Sequence, residues 1–573
     1  MIHIEVNNRT VKAHEGETIL SAVRREGINI PTLCFVEGMS PTGACRLCVV
    51  EIEGRDGLVP SCAFPVSHGM KILTHSPRAV QARRTVVELL LAEHPDDCLY
   101  CERNGNCELQ TIAEELGIRE RRYTGMRNTQ YADISSPAIV RDPAKCILCG
   151  KCVRICEEVQ GISAIDFAGR GSNSRISAAF EEGLNISSCI SCGQCIRVCP
   201  TGALLEQSAI KDVWNAINDP QTIVVAQHAP SISVTIGEAF GLEAGKDAAG
   251  LLTTALRRLG IDRVFDTSFS ADLTIMEEGS ELVERITTGG KLPMMTSCSP
   301  GWIKYVEQFY PDFIDNLSTC KSPQQMLGAV IKHYYADRES IDPKKIFSVS
   351  IMPCTAKKFE ADRPEMTESG IADIDAVLTT RELIRMLKIR SIHFSDLRPD
   401  TADTPFGERT TAGKIFGATG GVMEAAVRTA YHLITGGELD NLNIKAVRGL
   451  DGIKEASLNI NGMTVGVAVV NGVGNAARLL DEIRSGRDDL HFIEVMTCPG
   501  GCINGGGQPL DTDPNAVRAR LKGLYSIDKQ GTNRVSHKNK SVQRLYSEFL
   551  DKPLGEQSHK LLHTRYARRE VLL

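Results

Sequence analysis

At the start of the chain, apolar and polar residues alternate. IHIEV and TVKAHE, separated by Asn7-Asn8, read as two strands joined by a turn. A short helix then runs from Thr18 to Gly27, where a glycine suits the helix C-terminus. The apolar stretch VVELLLAEH predicts a further helix. Beyond about residue 208 the texture changes. Short apolar runs end in Gly/Pro/Ser loops and lead into helical patterns: TIVVA into HAPSISVTIGEAF, KLPMM into TSCSPGW and IKYVEQF, IFSVSIM into PCTAKKFE, and FIEVM into TCPGGCINGGG. Strands alternating with helices predict an α/β arrangement with parallel strands. In such sheets, ligands bind beyond the carboxyl ends of the strands. From NKSVQRLYSEFL onward the pattern predicts a helical tail.

Composition narrows the class. The 573 residues allow three to five domains, at about 100–200 residues each. A net charge of −6 argues against nucleic-acid binding. No apolar run approaches the roughly 18 residues of a membrane helix. The N-terminus lacks the basic start and apolar core of a signal peptide, so a cytoplasmic location is expected. Twenty cysteines in a chain of this kind point to metal rather than disulfides.

Their spacing sorts them. Cys34, Cys45, Cys48 and Cys62 fit a 2Fe-2S cluster, with zinc the rival. His94, Cys98, Cys101 and Cys107 form a His/Cys3 set that suits either a 4Fe-4S cluster or structural zinc. Cys146, Cys149, Cys152 and Cys156 are spaced C-x2-C-x2-C-x3-C. Cys189, Cys192, Cys195 and Cys199 repeat that spacing, with Pro200 following. This is the two-cluster ferredoxin pattern, in which the fourth cysteine of each run crosses to the other cluster. It predicts one 4Fe-4S site from Cys146, Cys149, Cys152 and Cys199, and another from Cys189, Cys192, Cys195 and Cys156.

Cys298, Cys320, Cys354, Cys498 and Cys502 remain, the last three and Cys298 just past predicted strands. The loops MMTSCSPGW, MPCTAKKFE and EVMTCPGGCINGGG resemble the three signature loops of iron-only (FeFe) hydrogenases. The resemblance covers nearly the whole chain and is to the long clostridial type. It implies a multidomain α+β and α/β protein: a β-grasp 2Fe-2S domain (1–78), a His/Cys3 4Fe-4S domain (79–125), a two-cluster ferredoxin-like domain (126–208), a catalytic domain with two parallel-sheet lobes (209–535) and a helical tail (536–573). It also implies an H-cluster, a 4Fe-4S cubane bridged to a diiron unit that carries CO, cyanide and a dithiolate and is inserted by maturases. On this resemblance Cys354, Cys498 and Cys502 hold the cubane and Lys357 meets a cyanide. Pro230, Ser231, Gln324, Met352 and Met496 line the pocket.

The family pattern has two cysteines where this chain has Cys298-Ser299. Matched position for position, Ser299 falls on the fourth cubane ligand and Cys298 on the proton donor. Serine's hard oxygen fits a sulfur-bound cubane poorly, so a slipped loop in which Cys298 ligates and Ser299 relays stays open. Glu278, Glu281 and Arg285, roughly on one helix face, match the family's proton path together with Ser318 and Cys298. Cys320 matches no ligand position and reads as a buried free thiol. The implied reaction interconverts H2 with protons and electrons, in exchange with ferredoxin or an NAD(P)H-linked flavoprotein. Two other readings compete: an electron-wiring subunit like the large iron–sulfur subunit of NADH dehydrogenases, and a non-catalytic relative used in cluster assembly or gas sensing. The first leaves the C-terminal loops without a purpose. The second fits poorly with a complete last loop and a retained Cys298.

Overall fold

The first hairpin closes through Asn7 and Asn8, both at positive φ, the backbone of a tight turn that follows strand twist. In the computed structural model, which describes residues 1–127, 130–367, 370–510 and 513–571, this hairpin opens a five-stranded sheet. Its strands are β1 (Ile2–Val6), β2 (Arg9–Ala13), β3 (Val49–Ile52), β4 (Val59–Pro60) and β5 (Lys71–Leu73), in the order β2-β1-β5-β3-β4. The helix Ile19–Arg25 starts where the Thr18 side chain accepts from the Ser21 N–H. Its Ile19, Leu20, Ala22 and Val23 join Ile4, Val6, Val50 and Ile72 in one core. The helix Pro77–Glu93 follows, capped by Ser76, and delivers His94 at its C-terminus. The ferredoxin-like stretch contributes two antiparallel pairs: β6 (Ile139–Arg141) with β9 (Leu204–Glu206), and β7 (Asp166–Ala168) with β8 (Arg175–Ser177).

Two four-stranded sheets form the larger part. One has the order β11-β10-β13-β14, from β10 (Ile223–His228), β11 (Arg263–Asp266), β13 (Ile346–Met352) and β14 (Ala376–Thr379), and is parallel throughout. β10 and β13 are buried along most of their length, as strands covered on both faces must be. The other has the order β12-β17-β16-β15, from β12 (Met294–Met295), β15 (Ile453–Ile460), β16 (Met463–Asn471) and β17 (Phe492–Met496). Here the expectation of two parallel sheets needs correcting, because β15 runs antiparallel to β16. Asn461 and Gly462, both at positive φ, fold it back. The helical reading of HAPSISVTIGEAF also shortens to Pro230–Ser233 and a tight turn Ile236–Phe240. The Ser233 and Thr235 hydroxyls donate to the carbonyls of Pro230 and Ser231, satisfying locally groups that a longer helix would have bonded.

The helix Thr267–Thr288 is the longest described and is buried over most of its length. The tail locks onto it: Ser536 and Asn539 donate to the buried Asp272 carboxylate at 2.7 and 2.9 Å. Farther along, the tail exchanges backbone bonds with residues 319–321, Lys321 N–H to Leu562 and Thr564 N–H to Thr319. Glu307 accepts from both Arg363 and Arg569. No described helix is long and apolar enough to cross a membrane.

Candidate active site and metal centres

All twenty cysteines are unpaired. In the first set, the Cys34 sulfur is hydrogen-bonded with those of Cys45 and Cys62, and the Cys62 sulfur also with that of Cys48. Bonding with Cys45 draws the Cys34 thiol far below its usual range, and bonding with Cys34 drives Cys62 far above it. Such opposite shifts arise when thiols crowd one centre. In the second set, the His94 Nδ1 lies 3.1 Å from the Pro95 carbonyl, while Nε2 is buried without a partner. Burial keeps the ring neutral. A neutral imidazole fixed through one nitrogen and bare at the other fits a metal. Cys101 lies near Cys107, and Lys145 faces both Cys101 and His94. The Cys107 sulfur lies 3.6 Å from the Pro200 carbonyl, so this set abuts the end of the second ferredoxin-like run.

The two runs interleave. Cys146, Cys149, Cys152 and Cys199 line one cavity of about 30 Å³. Cys156, Cys189, Cys192 and Cys195 line another of about 30 Å³. Each cavity therefore takes three sulfurs from one run and one from the other. Short turns aim backbone N–H groups at sulfur, with Leu148 to Cys146, Ser191 to Cys189 and Ala164 to Cys156 each at 3.4 Å. Such donors favour the thiolate form.

The remaining loops meet at the carboxyl ends of the two large sheets. Cys298 follows β12, Cys354 follows β13, and Cys498 and Cys502 follow β17. Cys298, Ser299, Cys354, Lys357 and Cys502 line one mostly apolar cavity of about 80 Å³, together with Pro230, Ser231, Gln324, Met352 and Met496. Cys498 is buried behind it, its charge felt by both Cys354 and Cys502. Burial pushes the Cys502 thiol up to about 12 and raises Cys354 and Cys498 as well. Thiols this reluctant to ionise alone need a metal to hold them as thiolates. The Ser231 Oγ is buried and unpartnered. The soft donors and the bare hydroxyl fit an iron–sulfur group carrying further small ligands.

Lys357 donates to the Cys298 carbonyl at 3.1 Å and to Glu360 at 2.9 Å. Glu360 also receives Ser322 and Gln324. The reading from sequence missed this carboxylate, although its three-residue offset from Lys357 on a predicted helix was available. It also missed Thr497, whose hydroxyl lies 2.7 Å from the Ser299 Oγ and whose N–H donates to it at 3.3 Å. Phe416 and Gly417 line the cavity too. Both belong to the stretch FGATGG, residues 416–421, whose small residues give the sequence reader little but backbone.

Cys298 faces Glu278, and burial, reinforced by that carboxyl, keeps its thiol protonated. Burial pushes Glu278 up to about 8. Glu281 receives the Ser318 hydroxyl at 2.7 Å and Arg285 at 2.6 Å. The half-buried Arg285 also donates to the carbonyls of Lys291, Asp315 and Leu317. Cys298, Glu278, Ser318, Glu281 and Arg285 thus form a file leading from the cavity outward.

The ferredoxin-like stretch presses on these loops. Thr355 donates to the Ser191 carbonyl at 2.7 Å, and Gln194 and Arg197 both donate to the Asn504 carbonyl. A Cβ at Gly506 would run into the Cys192 carbonyl, and one at Gly505 into that of Pro353. Only glycine permits this approach.

Sulfur-lined centres in contact with a buried cavity that has its own acid–base file define an iron–sulfur oxidoreductase. Models of known families cover most of the chain. They are the iron only hydrogenase large subunit, C-terminal domain (222–506), a 2Fe-2S iron-sulfur cluster binding domain (1–77), the NADH-ubiquinone oxidoreductase-G iron-sulfur binding region (83–122), the NADH-quinone oxidoreductase subunit 3 ferredoxin-like domain (136–205) and the iron hydrogenase small subunit (514–569). The chain is 47% identical to NADP-reducing hydrogenase subunit HndD of Solidesulfovibrio fructosivorans, over 100% of both. It is 42% identical to iron hydrogenase 1 of Clostridium pasteurianum, over 98% of this chain and 99% of that one. A solved structure of a single-residue variant of the FeFe hydrogenase HydA1 from Chlamydomonas reinhardtii matches 64% of this chain and 100% of its own at 41% identity and a TM-score of 0.58. The chain belongs to the iron-only (FeFe) hydrogenases and is an enzyme of that class, carrying 2Fe-2S and 4Fe-4S clusters and an H-cluster.

Proposed function

We propose that Cys354, Cys498 and Cys502 would hold the H-cluster through its cubane, with Cys502 on the side of the cavity. The convergence of Cys354 and Cys502 with Cys298 and Lys357 around one cavity, with Cys498 buried behind it, carries the reading. When the H-cluster is bound, dihydrogen is split into, or made from, protons and electrons there. Lys357, held by Glu360, offers its ammonium to an anionic cyanide. Met352, Met496 and Pro230 exclude water, while the free Ser231 hydroxyl and Gln324 orient the group. Cys298 passes protons to Glu278, and Ser318, Glu281 and Arg285 carry them onward. This assignment leaves Ser299 on the cubane side. The Thr497 N–H donates to its oxygen and the Thr497 hydroxyl is within reach to do so, which favours that oxygen bearing charge there.

The accessory sites complete the wiring. Cys34, Cys45, Cys48 and Cys62 hold one 2Fe-2S cluster. His94 with Cys98, Cys101 and Cys107 holds one 4Fe-4S, and the interleaved runs hold two more. Electrons enter the catalytic loops where Ser191, Gln194 and Arg197 touch them. The division at residues 78, 125, 208 and 535 belongs to the same reading. The relative described as a subunit of an NADP-reducing hydrogenase favours a flavoprotein partner linked to NAD(P)H, with ferredoxin the simpler donor. Unpaired cysteines suit the reducing cytoplasm.

The test is to mature the protein anaerobically with hydrogenase maturases, record its infrared spectrum and assay H2 evolution from a reduced dye. CO and cyanide bands accompanied by H2 are expected. A spectrum without those bands from working maturases would overturn the reading.

A further inference from the structure

Glu281 has buried neighbours that the file toward Arg285 does not use. A Glu281 carboxylate oxygen, the Cys320 sulfur and a ring nitrogen of His563, all buried, lie within 4.8 Å of one another. The Cys320 Sγ is 3.9 Å from Glu281 Oε2. Thr319 touches both ends: its N–H donates to Glu281 at 3.2 Å, and its hydroxyl lies 2.8 Å from His563 Nδ1. Across the ring, Nε2 is 3.2 Å from Glu277 Oε2. Tyr546, Ser558 and the Leu554 N–H also donate to Glu277. Burial opposes charge on Glu277, but bonds from His563 and Tyr546 outweigh it and hold the carboxyl below its usual range. An ionised Glu277 keeps a proton on Nε2 and leaves Nδ1 as the nitrogen that exchanges. The ring is itself buried, but it lies 4.3 Å from, and tilted against, the exposed His559 ring and next to half-buried Thr319.

A cation at this cluster would have to displace Ser318, Thr319 and Arg285 from Glu281, and Glu277 and Thr319 from His563. These groups are better arranged to move a proton than to bind a metal. We propose that His563 gives Glu281 a second proton outlet, parallel to the one at Arg285. In the outward direction a proton that reaches Glu281 from the Ser318 side passes by way of the Cys320 thiol, within 4.8 Å of both, to the His563 ring, whose Nδ1 is held by the Thr319 hydroxyl. The ring becomes imidazolium opposite the Glu277 carboxylate and then releases the proton to water beside His559. H2 evolution runs the same steps inward. The titratable groups around the ring are Glu277 and Glu281 on one helix, Cys320 on the neighbouring segment, His559 on the ring's own helix, and the phenols of Tyr546 and Tyr566.

The inference rests on the proton file proposed above, with Glu281 as its last carboxylate. It is tested on the holoenzyme in two ways. One follows, without turnover, the rate at which buried carboxyl infrared bands shift after mixing into D2O. The other measures H2 evolution between about pH 6 and 8, where imidazole titrates. His563→Ala is expected to slow both by about two- to tenfold, less than the 10²–10⁴ of a sole acid–base group because Arg285 remains. Added imidazole is expected to restore part of the rate with CO and cyanide bands unmoved. Thr319→Val removes the hydroxyl link, keeps the backbone bonds and is expected to slow deuteration likewise. It decides the matter if His563→Ala does not fold. Wild-type deuteration in Thr319→Val, or a slow His563→Ala that imidazole leaves unchanged, would overturn the second outlet. A wild-type rate in Glu281→Gln would instead overturn the file on which it rests.

Discussion

Glu278 is buried close to the Glu281 carboxylate, and burial first, then that neighbouring charge, pushes it up to about 8. Its acid form therefore persists through neutral pH and is lost as pH rises past that value. H2 evolution in the unmodified enzyme is expected to fall above about pH 8 as this donor ionises. Glu278→Gln is expected to be slower by about 10²–10⁴ at every pH and to lack that inflection. Both follow from dye-linked rates measured against pH. A glutamine variant with unchanged rates would remove Glu278 from the path. At this scale the cysteine sets can be proposed from sequence because ligand chemistry is written in residue type and spacing. Thr497 was not, since its partner Ser299 lies 198 positions away and neither residue advertises the pairing.

Whole elements decide where those residues point. His94 owes its position to the C-terminus of the helix Pro77–Glu93, which turns the ring so that only Nε2 is bare. A histidine ligand raises a cluster's potential relative to thiolate. His94→Cys is therefore expected to lower the midpoint potential of that cluster alone, as followed by a redox titration monitored by electron paramagnetic resonance. An unmoved potential would argue against His94 as a ligand. The strands leading into the cysteine loops were legible because each ends in a Gly/Pro/Ser turn. The hairpin of β15 and β16 was left out of the expected parallel arrangement although Asn461-Gly462 marks it. Strand–helix alternation on either side of it masks this strand–strand pair. β12 shrank to Met294–Met295 because only those residues find a partner, on β17.

Across the whole molecule, long-range contacts govern stability, and these were the least legible. A helical tail can be read from NKSVQRLYSEFL, but not that its far end shares the Glu307 carboxylate with Arg363. Glu307→Ala would leave the buried Arg363 cation with only the more distant Glu365 at 3.4 Å, a loss of up to about 3–5 kcal/mol for a broken buried pair. Thermal unfolding of so large a chain is read as a rate, so a shorter half-life at fixed temperature is the expected outcome. An unchanged half-life would show that the pair contributes little. The bare contact between Gly506 and the Cys192 carbonyl has a different consequence. Tunnelling falls exponentially with separation, so on the proposed electron route a seam with no methyl group in it would set the clearance across which charge jumps. That gap is held by the absence of a side chain, and any residue larger than glycine there would slow the current while leaving the chemistry at either end intact.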